Sequence, residues 1–182
     1  VSNRLGKGGQ SVNKLVTSHE GLVGINGGGF EDLDGWGNGS IPYGAIIQNG
    51  KLIWTHPGGS GGLIGFTNDH KMYLTDKAPK DAIADGMKEA VEFGPFLIVN
   101  GKTTKIHGDG GWGTAPRSVI AQRKDGVVLL LIIEGRLPGY SIGATLNDVI
   151  NILARYKAYN AANLDGGASS TMSIEGKLWN RP

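Results

Sequence analysis

The chain has no cysteine, which excludes thiolate metal ligands, a cysteine nucleophile and disulfide cross-links from its chemistry. That absence leaves the redox compartment open. Charge of either sign is in small surplus at most: 18 lysines and arginines against 16 aspartates and glutamates give +2 over 182 residues, too little for a nucleic-acid footprint. No apolar run approaches the ~20 residues that span a bilayer, and no signal-like segment follows Val1. Histidine is sparse as well. His19, His56, His70 and His107 are scattered without ligand spacing, so no metal ion is expected.

What is abundant is glycine, 32 residues without a collagen period or low-complexity repeat. Such a chain turns often between short strands. Asn49-Gly50, Asn100-Gly101, Asp125-Gly126 and Glu175-Gly176-Lys177 each separate apolar stretches, a strong hairpin signal. The expected pairs are Ala45–Ile47 with Leu52–Trp54, Val119–Ala121 with Val127–Ile133, and Met172–Ile174 with Leu178-Trp179. Helical spacing of apolar residues recurs over Asp81–Phe93, stopped by Gly94-Pro95, and over Leu146–Tyr156, with Thr145 and Asp148 as a capping pair. The expectation is an α+β fold: a mixed, largely antiparallel sheet with two principal amphipathic helices packed on it. One domain covers residues 1–182, with 1–20 as a peripheral segment that wraps the surface or makes an edge strand.

Two glycine-rich clusters follow apolar runs at opposite ends of the chain. The first is Asn26-Gly27-Gly28-Gly29-Phe30. The second is Asn163-Leu164-Asp165-Gly166-Gly167-Ala168-Ser169-Ser170-Thr171. Glycines let backbone approach a ligand closely, and the hydroxyls of Ser169, Ser170 and Thr171 add donors. Each cluster alone also reads as a tight turn; together they suit one pocket assembled from two strand ends.

Between them stand Gly94–Lys102, Ala115-Pro116-Arg117-Ser118-Val119-Ile120-Ala121 with Lys124-Asp125-Gly126, Glu134-Gly135-Arg136, and Gly143-Ala144-Thr145-Leu146, with Asn180-Arg181-Pro182 at the end. In that order and spacing these blocks resemble the phosphodiester glycosidase family, over about Gly24 to Pro182. The resemblance implies a hydrolase that cleaves a sugar from phosphate, of the bacterial stand-alone, exopolysaccharide-associated type, acting outside the cell or in its envelope. It also implies that the Asn26–Phe30 turn, Arg117, Arg136, Asp165 and Ser169–Thr171 line the pocket. Two departures stand out: Glu134 occupies a place where the family often has Asp before Gly-Arg, and relatives usually continue beyond Pro182 into another short strand, so the terminus reads as trimmed.

The residues themselves suit that chemistry. Arg117 follows the stiff Pro116 and precedes an apolar strand, and its fork matches phosphate oxygens. Arg136 ends the most apolar strand. Their structural alternatives are a surface ion pair for Arg117 and a pair involving Glu134 near Arg136. Asp165 ends an apolar segment, where partial burial perturbs a carboxyl, although an Asp-Gly turn residue often bonds only its own backbone. Because a phosphate monoester has a second pKa near ~6, it departs without full protonation, so one carboxylate plus arginine can replace the usual two carboxylates. Asn163 and Asn180 complete the polar inventory, with Glu134, His107 and Asp109 as reserve acid or base groups. Trp36, Trp112 and Trp179 are either sugar platforms or core residues. Asp32 and Asp34 hint at a structural calcium, but the twelfth position from Asp32 is Tyr43, not the glutamate an EF-hand loop requires. No cofactor is expected. The alternatives to a glycosidase are a non-catalytic glycan or phosphoglycan-binding module on the same scaffold and a metal-dependent phosphodiesterase.

Overall fold

The computed structural model describes residues 4–35, 37–59 and 61–182, with the side chain of Asp34 excepted. Strands are numbered along the chain. One five-stranded sheet has the order β3 (Lys51–Trp54), β2 (Ile46–Gln48), β6 (Met87–Phe93), β4 (Gly62–Thr67) and β5 (Met72–Thr75). A second runs β10 (Val128–Ile133), β9 (Arg117–Arg123), β11 (Ala158–Asn163), β7 (Phe96–Val99) and β8 (Lys102–Thr103). A small third sheet joins β1 (Val23–Ile25), β12 (Met172–Ile174) and β13 (Lys177–Leu178). Every pairing between these strands is antiparallel. The helices are α1 (Val12–Ser18), α2 (Pro79–Ala84) and α3 (Leu146–Arg155), and among the described residues none is long and apolar enough to cross a membrane.

Alternation along the strands stacks these elements. In β9, Val119 and Ala121 join the cluster formed with Leu146, Val149, Ile150 and Leu153 of α3, while Ile120 packs into a different cluster. That other cluster lies between the two large sheets: Ile64, Met72 and Phe93 meet Ala162 and Leu164. On the first sheet's other face, Ala82 of α2 packs with Ala45, Ile47, Leu63, Met87 and Ala90. Gln122 links the sheets by polar bonds, accepting from Met72 N–H at 2.7 Å and donating to the His70 carbonyl at 2.8 Å. Asp165 thus follows directly on Leu164, a residue of the inter-sheet core.

The three expected hairpins form. Ile46 faces Trp54, the Val119–Ala121 segment pairs with Leu129–Leu131, and Ser173 faces Leu178. At Asn49-Gly50 both residues have positive φ, 52° and 68°, the geometry of a type I′ turn matched to strand twist. The α3 helix also forms where its spacing indicated. Thr145 Oγ1 accepts from Asp148 N–H, and Asp148 Oδ2 accepts from Thr145 N–H at 2.9 Å, a complete capping box.

One expectation fails. The helix foreseen over Asp81–Phe93 ends at Ala84, and Met87–Phe93 is a central strand. Both faces of β6 are covered, Met87 and Ala90 packing toward α2 and Val91 and Phe93 between the sheets. Apolar residues at every turn of a helix and on both faces of a buried strand look alike in sequence. Gly86, with φ of 98°, ends α2 and turns the chain into the strand. The amino-terminal segment, expected to wrap the surface or make an edge strand, contains the surface helix α1, which packs against β1 and β12 through the buried Val16.

Gly86→Ala should lower stability by about 1–2 kcal/mol, the cost of a Cβ at positive φ, because open space surrounds the residue and only backbone strain is added. Urea unfolding tests this: the midpoint should fall with an unchanged slope.

Candidate functional site

The turns after β1 and β11 meet. Asp165 N–H donates to the Gly27 carbonyl at 3.1 Å, and Asn26 Nδ2 donates to the Asp165 carbonyl at 2.6 Å. The Asn26 Oδ1 accepts from the Ser118 hydroxyl at 2.6 Å and from Thr171 N–H at 3.1 Å. Gly166 lies so close to β9 that a Cβ there would stand 2.8 Å from the Pro116 carbonyl oxygen. Glycine at this place is a packing requirement.

A cleft of about 860 Å³ opens beside this junction. Its walls are the segment around α1 from Gly9 to Gly24, the Asn26–Phe30 turn, residues 37–39, and Asp165, Ser169 and Thr171. Asp165 is half-buried, and burial pushes its carboxyl above the ordinary carboxylate range. Hydrogen bonds from the Ser169 hydroxyl and Gly166 N–H pull the other way, while the negative charge of Asp32 adds to the rise. The carboxyl is therefore easier to protonate than an exposed aspartate.

Across the Asp165–Thr171 turn lies a smaller cavity of about 190 Å³, lined by Pro116, Arg136, Gly167, Ser170, Asn180 and Arg181 among others. Arg136 has a positive φ of 58°, unusual for a residue with a side chain, and its guanidinium rests against Gly167. Ser170 is buried with an unpartnered Oγ. Arg117, 2% exposed, donates Nε to the Ala144 carbonyl at 3.0 Å and Nη2 to the Gly113 carbonyl at 2.5 Å. Its proton is held less tightly than usual, first through burial and then through the positive charge of Arg136, with Asp109 opposing both. Among the described residues neither arginine has a carboxylate at ion-pair distance.

The other candidates separate. Asn163, 1% exposed, donates Nδ2 to the Gly94 carbonyl at 3.0 Å and its N–H to the Pro95 carbonyl, also at 3.0 Å, so it braces the start of β7. Asn180 clasps β12, accepting from Met172 N–H and donating to the Ser170 carbonyl, each at 2.7 Å. Glu134 accepts from Arg181 N–H at 2.6 Å, and this bond together with the Tyr140 hydroxyl holds its carboxyl below the usual range. His107 and Trp112 line a third hollow with Lys105 and Pro95, away from Asp165, and Asp109 accepts from Gly111 N–H at 2.8 Å in the adjoining loop. Trp179 lies along β10 with Tyr140. Trp36 is outside the described residues, as is the side chain of Asp34; Asp32 Oδ1 accepts from Gly37 N–H. Sequence reasoning missed Ser118 and the α1 wall. Ser118 carries no signal beyond following Arg117, whereas the apolar Val12, Leu15 and Val16 spacing marks a helix in retrospect.

Fold and site together define an antiparallel α+β protein in which a glycine-rich turn separates the raised Asp165 carboxyl from Arg136. The profile of the phosphodiester glycosidase family matches residues 19–182, and the chain belongs to that family. It is 27% identical over 183 residues to the SPbeta prophage-derived uncharacterized protein YomE of Bacillus subtilis (strain 168), across 94% of this chain and 27% of that protein. It superposes on the catalytic domain of zebrafish N-acetylglucosamine-1-phosphodiester alpha-N-acetylglucosaminidase, auto-inhibited by its pro-peptide, with a TM-score of 0.76 at 21% identity, over 95% of this chain and 60% of that one. A hypothetical protein from Synechocystis gives a TM-score of 0.62 at 17% identity, over 96% of this chain and 51% of that one. The two structural likenesses establish shared fold. This chain spans less than two thirds of each of these proteins.

Two outcomes follow for the charged groups. Arg117→Lys cannot reach the Ala144 and Gly113 carbonyls together, so it should destabilise the protein by about 1.5–3 kcal/mol per charge-assisted bond lost, read as a drop in unfolding midpoint. For Asp165 the folded carboxyl titrates above the unfolded one. Between those two values the folded state binds more protons, so stability falls as pH rises through the window. Asp165→Asn should therefore be more stable than the wild type at pH 7, and the gain should vanish at a pH below about 4, where the unfolded carboxyl is also protonated. Thermal unfolding across pH checks the sign.

Proposed function

We propose that the chain hydrolyses the glycosidic bond between a sugar and a phosphate in a sugar-1-phosphodiester of a cell-wall or exopolysaccharide polymer, and acts outside the cell or in its envelope. Family membership supports the reaction class. The observation that carries the reading is the placement, across one turn, of a half-buried carboxyl biased toward protonation and of Arg136, whose charge also reaches the buried Arg117, with no carboxylate at ion-pair distance from either arginine among the described residues. A phosphodiester places a negative charge next to an anomeric carbon. The arginines attract and stabilise that charge as it grows on the leaving phosphate, and the Asp165 carboxyl stands at the cleft side of the same turn for proton transfer. The sugar fits the larger cleft, whose Asn38, Ser169 and Thr171 offer hydrogen-bonding groups.

Hydrolysis in oxygen-18 water tests the reaction directly. Label should enter the sugar, because water attacks carbon and the phosphate leaves with its bridging oxygen. Label in the phosphate would mean attack at phosphorus and would overturn the reading; binding without release of sugar would assign a carbohydrate-binding module instead. Asp165→Asn should lose at least a hundredfold in turnover, since proton transfer by a positioned group contributes about 10²–10⁴, while phosphodiester binding persists.

A further inference from the structure

We infer that Asp32 is the second carboxylate of this site, the base that takes a proton from the attacking water while Asp165 gives one to the departing phosphate. The inference rests on the proposed glycosidase reading and adds a residue to it. From Gly27, bonded to Asp165 N–H, the chain runs along the cleft to Phe30 and then into a loop closed by Glu31 N–H donating to the Ile41 carbonyl at 2.8 Å. Asp32 sits at the base of that loop, with its carboxylate exposed. Its Oδ1 accepts from the N–H of Gly37, which itself lines the cleft, so one oxygen fixes the group at the wall. Among the described residues nothing donates to Oδ2, which remains available to a water molecule.

Three other acids hold backbone that does not line the cleft. Glu92 accepts from Ala45 N–H at 2.9 Å, Glu134 holds Arg181 N–H, and Asp109 holds Gly111 N–H. Asp32 is also the one charged residue whose field adds to that at the Asp165 carboxyl. From its own turn Asp165 meets the Ser169 hydroxyl and Gly166 N–H, and His19, after α1, lines the same cleft. Two carboxyls in unlike surroundings divide into acid and base: Asp165 is half-buried and Asp32 is exposed.

The step balances. A water oxygen bonds to the anomeric carbon as its proton passes to Asp32, the carbon–oxygen bond to phosphate breaks with its electron pair on oxygen, and Asp165 protonates that oxygen. Solvent then restores both carboxyls. A water activated this way attacks the face opposite the leaving group, so the sugar is released with inverted configuration.

Asp32→Asn in the full chain should lower kcat at least a hundredfold on a fluorogenic sugar-1-phosphodiester, with KM little changed. Azide should restore turnover in this variant and yield the glycosyl azide, because the anion attacks carbon without a base while Asp165 still protonates the phosphate. Independently of activity, the Asp165 carboxyl followed by carbon-13 NMR should titrate at lower pH in Asp32→Asn than in the wild type. Near-normal turnover, a loss that azide does not rescue, retention of configuration, or an unmoved Asp165 titration would each overturn the assignment. If the wild type releases sugar from no sugar-phosphodiester, the glycosidase reading fails, and the NMR titration alone decides whether the two carboxyls are paired.

Discussion

Asn26 ties four parts of the molecule together through one side chain. Its amide uses one donor on the Asp165 carbonyl and its oxygen on the Ser118 hydroxyl and Thr171 N–H. Those bonds join the end of β1, the start of β9, the start of β12 and the turn after β11. Each contributes about 1 kcal/mol net, but an unmet donor or acceptor left in a half-buried place costs about 1–3 kcal/mol. The asymmetry matters more than the sum. Without Asn26 the two glycine-rich turns lose their common anchor, and the cleft loses the wall on which Asp165 stands. Asn163 does similar work a few residues earlier, bracing the Gly94 and Pro95 carbonyls from within the core.

Charge at the site is arranged against the ordinary preference of each group. Burial and Asp32 raise the Asp165 carboxyl, while burial and Arg136 weaken the hold of Arg117 on its proton. Buried charges normally find opposite partners, since the desolvation penalty is several kcal/mol per ion. Here the partners of Arg117 are the Ala144 and Gly113 carbonyls, which take part of its donors, and the charge of Asp109 opposes that of Arg136 without an ion pair. The same donors fix the loop carrying Trp112 to the start of β9, so binding field and loop position share one side chain.

The hairpins were legible because Asn-Gly between apolar runs encodes turn, register and pairing locally. Helix α3 was legible because its apolar stripe and the Thr145–Asp148 box agree. Strand β6 was not, since a strand buried on both faces loses its period of two, and only Gly86 marked the change of structure. Of the site, the two glycine clusters and Asp165 stood out by composition. The working life of the asparagines did not: Asn26, Asn163 and Asn180 looked like groups for a ligand, and all three spend amide donors on partners within the protein, Asn163 keeping an Oδ1 without a partner among the described residues. Sequence displays a polar side chain but not its nearest donor. Asp32 was likewise read for calcium, because its influence on Asp165 comes from a turn 133 residues away in the chain and leaves no local trace.

The bond from Asn26 to Asp165 closes a loop of 139 residues. Loop-closure entropy for so distant a contact must be met before the contact gives anything back, and pairings of this kind slow the folding of antiparallel proteins. Every strand between β2 and β11 lies inside that loop, so the hairpins can form early, each from its own turn, while the site waits for the last long-range closure. No partly folded form that lacks this closure contains the cleft. A chain that ends before Asp165 lacks this bond and the cleft wall that it anchors, and a signal that reads the cleft during refolding would time the final closure of the molecule rather than the formation of its core.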